Sequence, residues 1–176
     1  MLYTRKGDDG TTKTFGCDQR ISKSSAVAEA LGAMDEINSF LGLCKVKSKE
    51  QIFEKDIHNI QKNLFIIQAE LAGATESITN NKVKELEEII DSIEKQLPEI
   101  HSFFISGNTE LSASFDFART LSRRAERRVI AVYESGDVGV GEYTLQYLNR
   151  LSSVLYAFAR LSSHLSGIAE ESPDYK

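Results

Sequence analysis

The sequence predicts an all-α domain, an antiparallel five-helix bundle preceded by an ordered Gly/Thr-rich N-terminal segment. Apolar residues recur at three-four spacing along most of the chain after residue 24, which is the period of one buried helix face. No alternating strand pattern follows that point, and the breaks between the periodic stretches are short. At 176 residues, the chain has the usual size of one domain. We expect an N-terminal segment at 1–24, the bundle at 25–168, and a tail at 169–176 that is too polar and short to pack.

The first two helices are predicted from their apolar stripes and their caps. The first runs from about Ser25 to Lys45 and is amphipathic. The second is predicted to open at Ser48, because Gln51 follows three residues later as in a capping box. Its stripe continues until Gly73, so its predicted length approaches seven turns.

The remaining three helices follow the same pattern. The third is predicted over about Asn81 to Leu97, and Pro98 stops it because proline cannot donate a hydrogen bond to a continuing helix. The fourth runs from about Thr109 to Tyr133, and a glycine-rich turn separates it from the fifth, at about Glu142 to Gly167. Short connections between helices of this length favour antiparallel neighbours.

The composition excludes several classes of protein. A net charge of −5 and a pI near 5.3 argue against general affinity for nucleic acid or an anionic membrane, because both need a positive surface field. The N-terminus is polar, and no run approaches the roughly 18 apolar residues of a membrane span. Cys17 and Cys44 show neither a zinc nor a disulfide pattern. We therefore expect a soluble cytoplasmic protein with no nucleic-acid or membrane partner.

The N-terminal segment contains material that suits phosphate binding. In GDDGTTKT, at residues 7–14, glycines let backbone N–H groups turn toward one anion and hydroxyls add donors. Arg5, Lys6 and Lys13 add positive charge. The segment is not a Walker A loop, because two threonines separate the second glycine from the lysine. A simple polar turn is the alternative.

Five arginines lie within ten residues of the fourth predicted helix. At about 100° per residue they divide between two flanks of the apolar stripe. One flank carries Arg119, Arg123, Glu126 and Arg127, and the other carries Arg124 and Arg128. Because guanidinium forks suit phosphate oxygens and stay charged when partly buried, the first flank is the candidate polyphosphate site. The alternative is a solvated, salt-bridged surface.

Two other polar groups stand out in apolar helices. Asp35 and Glu36 adjoin apolar positions of the first helix, and the arginine flank is an obvious source of counter-charge, within the chain or across a subunit boundary. The amide of Asn149 lies in a strongly apolar helix, where it binds a ligand or another helix. The three histidines, which share no metal-ligand spacing, are His58, His101 and His164.

Three blocks of sequence together resemble the ATP:cob(I)alamin adenosyltransferases of the PduO type, also called corrinoid adenosyltransferases. The first is YTRKGDDGTT with the RISK that follows, the second is ALGAMDEINSFLG, and the third joins ARTLSRRAERRVI to YLNRLSSVLYAFAR. The blocks are specific in combination and stand in the right order. The likeness runs nearly from end to end of the chain.

The resemblance implies a homotrimer of five-helix bundles, with active sites between neighbouring subunits. The implied ATP contacts of the N-terminal segment are Thr4, Arg5, Lys6, Gly7, Thr12, Lys13 and Lys23. Those that complete the nucleotide site are Arg123, Arg124, Glu126, Arg127 and Asn149. The catalytic role falls to Arg123, Arg127 and Asn149. Asp35 would pair with Arg119 across the interface, and Phe103 falls where the family places an aromatic ring against the lower face of the corrin.

The implied reaction is attack by the cobalt of cob(I)alamin on the 5′-carbon of ATP, which gives adenosylcobalamin and triphosphate. Cations and Mg²⁺, whose ligands are unknown, would stabilise the leaving polyanion. A corrinoid reductase and a cobalamin-dependent enzyme are the possible partners. Two alternatives stay open: an ATP-binding regulatory module of the same fold without corrinoid chemistry, and a helical-bundle protein whose arginines recognise an acidic partner.

Overall fold

The computed structural model describes residues 3–14, 20–48 and 52–175. These residues form five helices and one small antiparallel sheet. The helices are α1 (Ala26–Lys47), α2 (Glu54–Leu71), α3 (Asn80–Glu94), α4 (Glu110–Ser135) and α5 (Glu142–Leu165). The strands are β1 (Thr11–Lys13) and β2 (Arg20–Ser22). The predicted all-α architecture with five helices is confirmed.

The helices pack around α4 and α5. These two lie against each other, α1 packs on α4, α3 packs on α5, and α2 packs on α1. Three fully or nearly buried rings, from Phe53, Phe115 and Phe158, contact one another with centroids 5.1 to 5.3 Å apart. The predicted stripe of α5 is buried through Phe158, whereas Leu165, the last residue of the helix, is half exposed. The core is therefore centred on the packed faces of the long helices.

Caps fix where the two site-bearing helices begin. Thr109 and Ser112 form a reciprocal capping box at the start of α4, which satisfies N–H groups that have no partner within the helix. At the start of α5, the buried carboxylate of Glu70 accepts hydrogen bonds from Gly141 N–H (2.8 Å) and Thr144 Oγ1 (2.6 Å). A side chain from α2 thus sets the position at which α5 begins.

The predicted start of α2 is wrong. Ser48 closes α1 instead, because its N–H donates to the carbonyls of Cys44 (2.9 Å) and Lys45 (3.2 Å). The helix begins at Glu54, directly after Phe53, whose ring is buried in the aromatic cluster. Gln51, the other half of the predicted capping box, lies outside the described residues, as does Cys17.

The expectation that the C-terminal tail does not pack is also wrong. Glu170 forms an ion pair with the buried Arg160 (2.8 Å), and the carbonyl of Glu171 accepts a hydrogen bond from Ile105 N–H (2.8 Å). The apolar argument failed because this contact is polar. The tail satisfies charged and backbone groups that would otherwise lack partners.

Candidate active site

A cleft of about 610 Å³ opens between α4, α5 and an irregular stretch at residues 98–108, which we call the cleft loop. The loop side of the cleft is rich in large apolar groups, namely Ile100, Phe103, Phe104 and Ile105. The helix side carries polar and charged groups, among them Asp116, Arg119, Arg123, Ser152 and Tyr156. An apolar wall together with the guanidiniums of Arg119 and Arg123 suits a ligand that has both an apolar and an anionic part.

Phe103 lies at the rim of this cleft and is 79% exposed. Phe104 next to it is half buried, with the Arg160 guanidinium 5.3 Å from its ring centroid. An exposed large ring beside a cleft favours apolar occupants, since contact with them removes the ring from water. Phe103, the residue predicted to contact the corrinoid, is therefore an exposed aromatic ring that lines the cleft.

The flanks predicted for the α4 arginines agree with their contacts. Arg124 forms an ion pair with Glu36 of α1, and Arg128 lies 3.6 Å from Glu29 on the same helix. Arg123, on the opposite flank, lines the cleft. Two arginines are thus engaged by α1 while Arg123 faces the cavity.

A chain of hydrogen bonds joins α4, α5 and α3. Asn149 Nδ2 donates to Glu126 Oε1 (3.1 Å), and Asn149 Oδ1 accepts from Arg150 (2.8 Å). Arg150 Nε donates to Glu87 of α3 (3.0 Å). Because both ends of the Asn149 amide are engaged, its orientation is fixed. The sequence did not identify Arg150 and Glu87 as its support.

Asp116 and Arg119 lie one turn apart on the cleft face of α4. Arg119 Nε is 3.6 Å from Asp116 Oδ1, which is an ion pair but too long for a hydrogen bond. Buried Arg119 Nε has no hydrogen-bond partner among the residues that the structure describes. Burial raises the pKa of Asp116, whereas Arg119 and the Ser106 hydroxyl oppose that shift. Burial also raises the pKa of Tyr156, so its phenol stays neutral at pH 7.

The N-terminal segment is a compact turn that one arginine ties together. Lys23 Nζ donates to the carbonyl of Gly7 (2.8 Å), and a Cβ at Gly7 would lie only 3.1 Å from that same Nζ. Arg20 donates from Nε to Thr11 Oγ1 (2.5 Å), and from its other end to the carbonyls of Thr11 (3.0 Å) and Lys6. Sequence reasoning missed Arg20, although it lies in the RISK block.

This segment and the cleft lie at different places along α4. The segment leads directly into the first turn of α1, where Glu29 pairs with Arg128. The cleft instead faces Asp116, Arg119 and Arg123. Arg119 and Arg128 are separated by nine residues, about 14 Å along the helix axis. Within one chain, the two halves of the predicted site are therefore displaced from each other.

Two features are absent from the residues that the structure describes. No three His, Cys, Asp or Glu side chains gather there into a metal-binding group. No helix in the described ranges is long and apolar enough to cross a membrane.

Comparison with known proteins assigns the chain to a family. The model of the cobalamin adenosyltransferase family matches residues 2–162. A corrinoid adenosyltransferase from Bacillus subtilis is 37% identical over 177 residues, which cover 96% of this chain and 90% of that protein. The corrinoid adenosyltransferase PduO from Citrobacter freundii is 39% identical over 170 residues, 93% of this chain. The chain belongs to the cobalamin adenosyltransferase family.

The chain spans about half the length of the two PduO relatives from Citrobacter freundii and Salmonella typhimurium, 50% and 53%. Solved structures match nearly the whole chain. A variant PduO-type ATP:corrinoid adenosyltransferase from Lactobacillus reuteri, complexed with cobalamin and ATP, superposes with a TM-score of 0.92 at 28% identity, over 99% of this chain and 97% of that one. A further variant of that enzyme, complexed with ATP, gives a TM-score of 0.90.

Proposed function

We propose that this protein transfers the 5′-deoxyadenosyl group of ATP to cob(I)alamin, which gives adenosylcobalamin and triphosphate. The observation that carries the proposal is the cleft, because exposed Phe103, Arg119 and Arg123 line the same cavity. Family membership and a close structural match to an enzyme complexed with cobalamin and ATP support it. A corrinoid offers the flat apolar face, and the ATP triphosphate offers the negative charge.

The chemistry asks the protein for geometry and charge rather than for a base. Cobalt(I) donates an electron pair to C5′, the C5′–O bond breaks, and the bridging oxygen leaves with its electrons on triphosphate. No proton has to be removed from either reactant. The protein contributes by aligning the two reactants and by stabilising the leaving polyanion. Phe103 covers one face of the corrin and excludes water from it.

Arg123, Arg127 and Asn149 take the catalytic roles in this proposal. Arg123 lines the cleft, whereas Arg127 is exposed one turn further along α4, outside the cleft lining. In this proposal the triphosphate extends from the cleft along α4 and meets both guanidiniums. Glu126 and Arg150 fix the amide of Asn149. Mg²⁺ bound to the phosphates neutralises part of their charge.

The N-terminal turn is the proposed cradle for ATP. Its proposed contacts are Thr4, Arg5, Lys6, Gly7, Thr12, Lys13 and Lys23, with Arg124 added from α4. The turn supports this role because it carries several cations on a short scaffold that hydrogen bonds hold together. Gly7 suits it further, since any side chain there would crowd Lys23 Nζ.

We also propose that the active site forms between subunits of a homotrimer. The displacement of the N-terminal turn from the cleft along α4 supports this, because a neighbouring subunit can supply the missing half. Among the residues that the structure describes, none accepts a hydrogen bond from Arg119 Nε, and Asp35 is an exposed carboxylate on α1. Asp35 of one subunit is the proposed partner for Arg119 of the next.

The physiological setting follows from the chemistry. A reductase must supply cob(I)alamin, and a cobalamin-dependent enzyme is the expected recipient of the product. The cytoplasm is the expected location, on the sequence argument that Cys17 and Cys44 lack a disulfide pattern.

An anaerobic assay tests the proposal. Purified protein is mixed with ATP, Mg²⁺ and chemically reduced cobalamin, and the cob(I)alamin absorbance is followed. The proposal predicts a loss of this absorbance that needs both ATP and folded protein, and that fails when AMP replaces ATP because AMP lacks the triphosphate leaving group. Binding of ATP without any loss of cob(I)alamin would contradict the proposal and favour the regulatory module.

A further inference from the structure

The cleft loop has no regular secondary structure of its own. No helix or strand is assigned to residues 98–108, so no repeating backbone ladder holds Phe103 at the rim. Side-chain and tail contacts must therefore set the position of this wall relative to α4 and α5. The residues that make those contacts are candidates for control of the cleft.

Arg160 joins α5 to both the cleft loop and the tail. Its guanidinium donates from Nε to both carboxylate oxygens of Glu170 in the tail (2.9 and 3.1 Å), and from its far end to Glu170 Oε2 (2.8 Å). The far end also donates to the carbonyl of Pro98 (3.0 Å), where the loop begins. The ring of Phe104 lies over the same guanidinium at 5.3 Å.

The tail makes two more contacts with the loop. Ile105 N–H donates to the carbonyl of Glu171 (2.8 Å), and the hydroxyls of Ser102 and Ser172 are 2.6 Å apart. These two contacts lie on either side of Phe103 and Phe104 in sequence. The tail therefore runs along the loop as a strap, and the Arg160–Glu170 pair fixes the start of that strap to the bundle.

We propose that Arg160 and Glu170 are positioning residues for the corrinoid wall of the cleft. A planar guanidinium that binds a carboxylate through two hydrogen bonds fixes its orientation as well as its distance. Arg160 is 5% exposed and the Glu170 side chain 17% exposed, so water does not compete strongly for the pair. Through the strap, the pair sets where Phe103 lies relative to the cations of α4.

A change in the strap is expected to affect the binding of the two substrates differently. The proposed ATP residues lie in the N-terminal turn and on α4 and α5, whereas the strap contacts the cleft loop and, on α5, Arg160, which is not one of those residues. Loosening the strap should weaken corrinoid binding and leave ATP binding unchanged. The kinetic part of this prediction rests on the proposed adenosyltransferase activity.

The test compares Glu170→Gln with Glu171→Gln, which makes the same charge change at the next residue. Glu171 is exposed, and only its backbone carbonyl bonds to the loop. In Glu170→Gln we expect the KM for cob(I)alamin to rise at least fivefold, with the KM for ATP within twofold of the wild type. We expect Glu171→Gln to match the wild type, and Glu170→Asp to recover part of the corrinoid affinity.

Hydrogen exchange provides a readout that needs no corrinoid. The Ile105 amide should exchange faster in Glu170→Gln than in Glu171→Gln, while amides in α4 and α5 keep their wild-type protection. Equal exchange at Ile105 in both variants, or an equal rise in the KM values for ATP and cob(I)alamin, would overturn the positioning role. If Glu170→Gln does not fold, Glu170→Asp is tested instead, and we expect smaller changes of the same kind in the KM for cob(I)alamin and in the exchange of the Ile105 amide.

The kinetic and hydrogen-exchange measurements together separate this inference from the proposed function. An inactive wild-type enzyme would count against the adenosyltransferase and leave the exchange comparison intact. If the wild type is active but the Ile105 amide of Glu170→Gln exchanges at the wild-type rate, the proposed function stands and the positioning role of the strap is refuted.

Discussion

The helical bundle and the two irregular segments beside its proposed site are held by different kinds of contact. In the bundle, side chains such as Phe115 and Ile67 are completely buried and touch apolar neighbours on every side. In the N-terminal turn and the cleft loop, a few polar contacts centred on Arg20 and Arg160 replace that packing. The residues proposed to meet both substrates lie mostly on or beside these sparsely tied segments.

This difference separates the stability of the protein from its activity. Loss of a packed side chain leaves a cavity and removes packing contacts from every helix around it, because interiors are close-packed. Loss of one polar tie opens a short segment whose local free energy of opening is small. We therefore expect core variants to unfold the protein, and tie or site variants to alter substrate binding and turnover at nearly constant stability.

The largest effect is expected from Phe115→Ala. Its ring is fully buried, between the rings of Phe53 and Phe158 at centroid distances of 5.2 and 5.3 Å. The free energy of unfolding should fall by about 3–5 kcal/mol, measured by urea denaturation. Phe65→Ala, at a site 62% exposed on α2, is the matched control and should cost less than about 1 kcal/mol. Equal losses at the two sites would refute the contrast.

Arg123→Ala should have the next largest effect, on turnover alone. Removing a cation that stabilises a leaving polyanion typically lowers kcat by about 100-fold, here measured at saturating ATP. Arg128→Ala is the control, because that guanidinium lies 3.6 Å from Glu29 on the other flank and is outside the proposed site. Both variants should keep a free energy of unfolding within about 0.5 kcal/mol of the wild type. Near-normal turnover in Arg123→Ala would remove its catalytic role.

Arg20→Ala tests the tie of the N-terminal turn. Without the hydrogen bonds of Arg20 to Thr11 and Lys6, the turn should lose its fixed conformation. ATP would then have to order the turn on binding, which lowers its affinity. We expect the KM for ATP to rise about tenfold, which corresponds to 1.4 kcal/mol, with the melting temperature within about 2 °C of the wild type. Lys84→Ala removes an exposed cation from α3 as the control. A fall in the melting temperature without a change in KM would contradict this role.

The smallest effect concerns pH. Burial raises the pKa of Asp116 above its ordinary value of 3.8, with Arg119 opposing the shift and Glu170 adding to it. Between the unfolded and native pKa values, the native state binds more protons, so this group's contribution to stability falls as pH rises. Urea denaturation from pH 3.5 to 7 should show wild-type stability falling relative to Asp116→Asn with rising pH. A relative rise would show that the native pKa is lowered.

The bundle was predictable because burial has a period. Stripes of apolar residues located all five helices, and Thr109 and Ser25 supplied helix caps where the pattern began. The start of α2 was missed because Ser48 serves one helix as its end while its sequence context suits the start of another. Only the burial of Phe53 decides between these roles, and burial of one side chain depends on contacts distant in sequence.

The flanks on which the α4 arginines lie were predictable, but the contacts around the cleft were not. Helical spacing separated Arg123 from Arg124 correctly, since both lie on one regular helix. It could also have indicated the pair of Asp116 and Arg119, which lie three residues apart, but it gave no sign that the tail binds the cleft loop. Polar contacts between segments distant in sequence leave no periodic trace, so Arg20, Arg160 and Glu170 emerge only from the fold.

The products of a single turnover test the central claim most directly. Protein in excess is mixed anaerobically with limiting cob(I)alamin, ATP and Mg²⁺, and phosphate species and corrinoids are quantified together. The account predicts one triphosphate and one light-sensitive cobalt–carbon product for each cob(I)alamin consumed. Diphosphate or phosphate in place of triphosphate, or consumption of ATP without a cobalt–carbon bond, would contradict it.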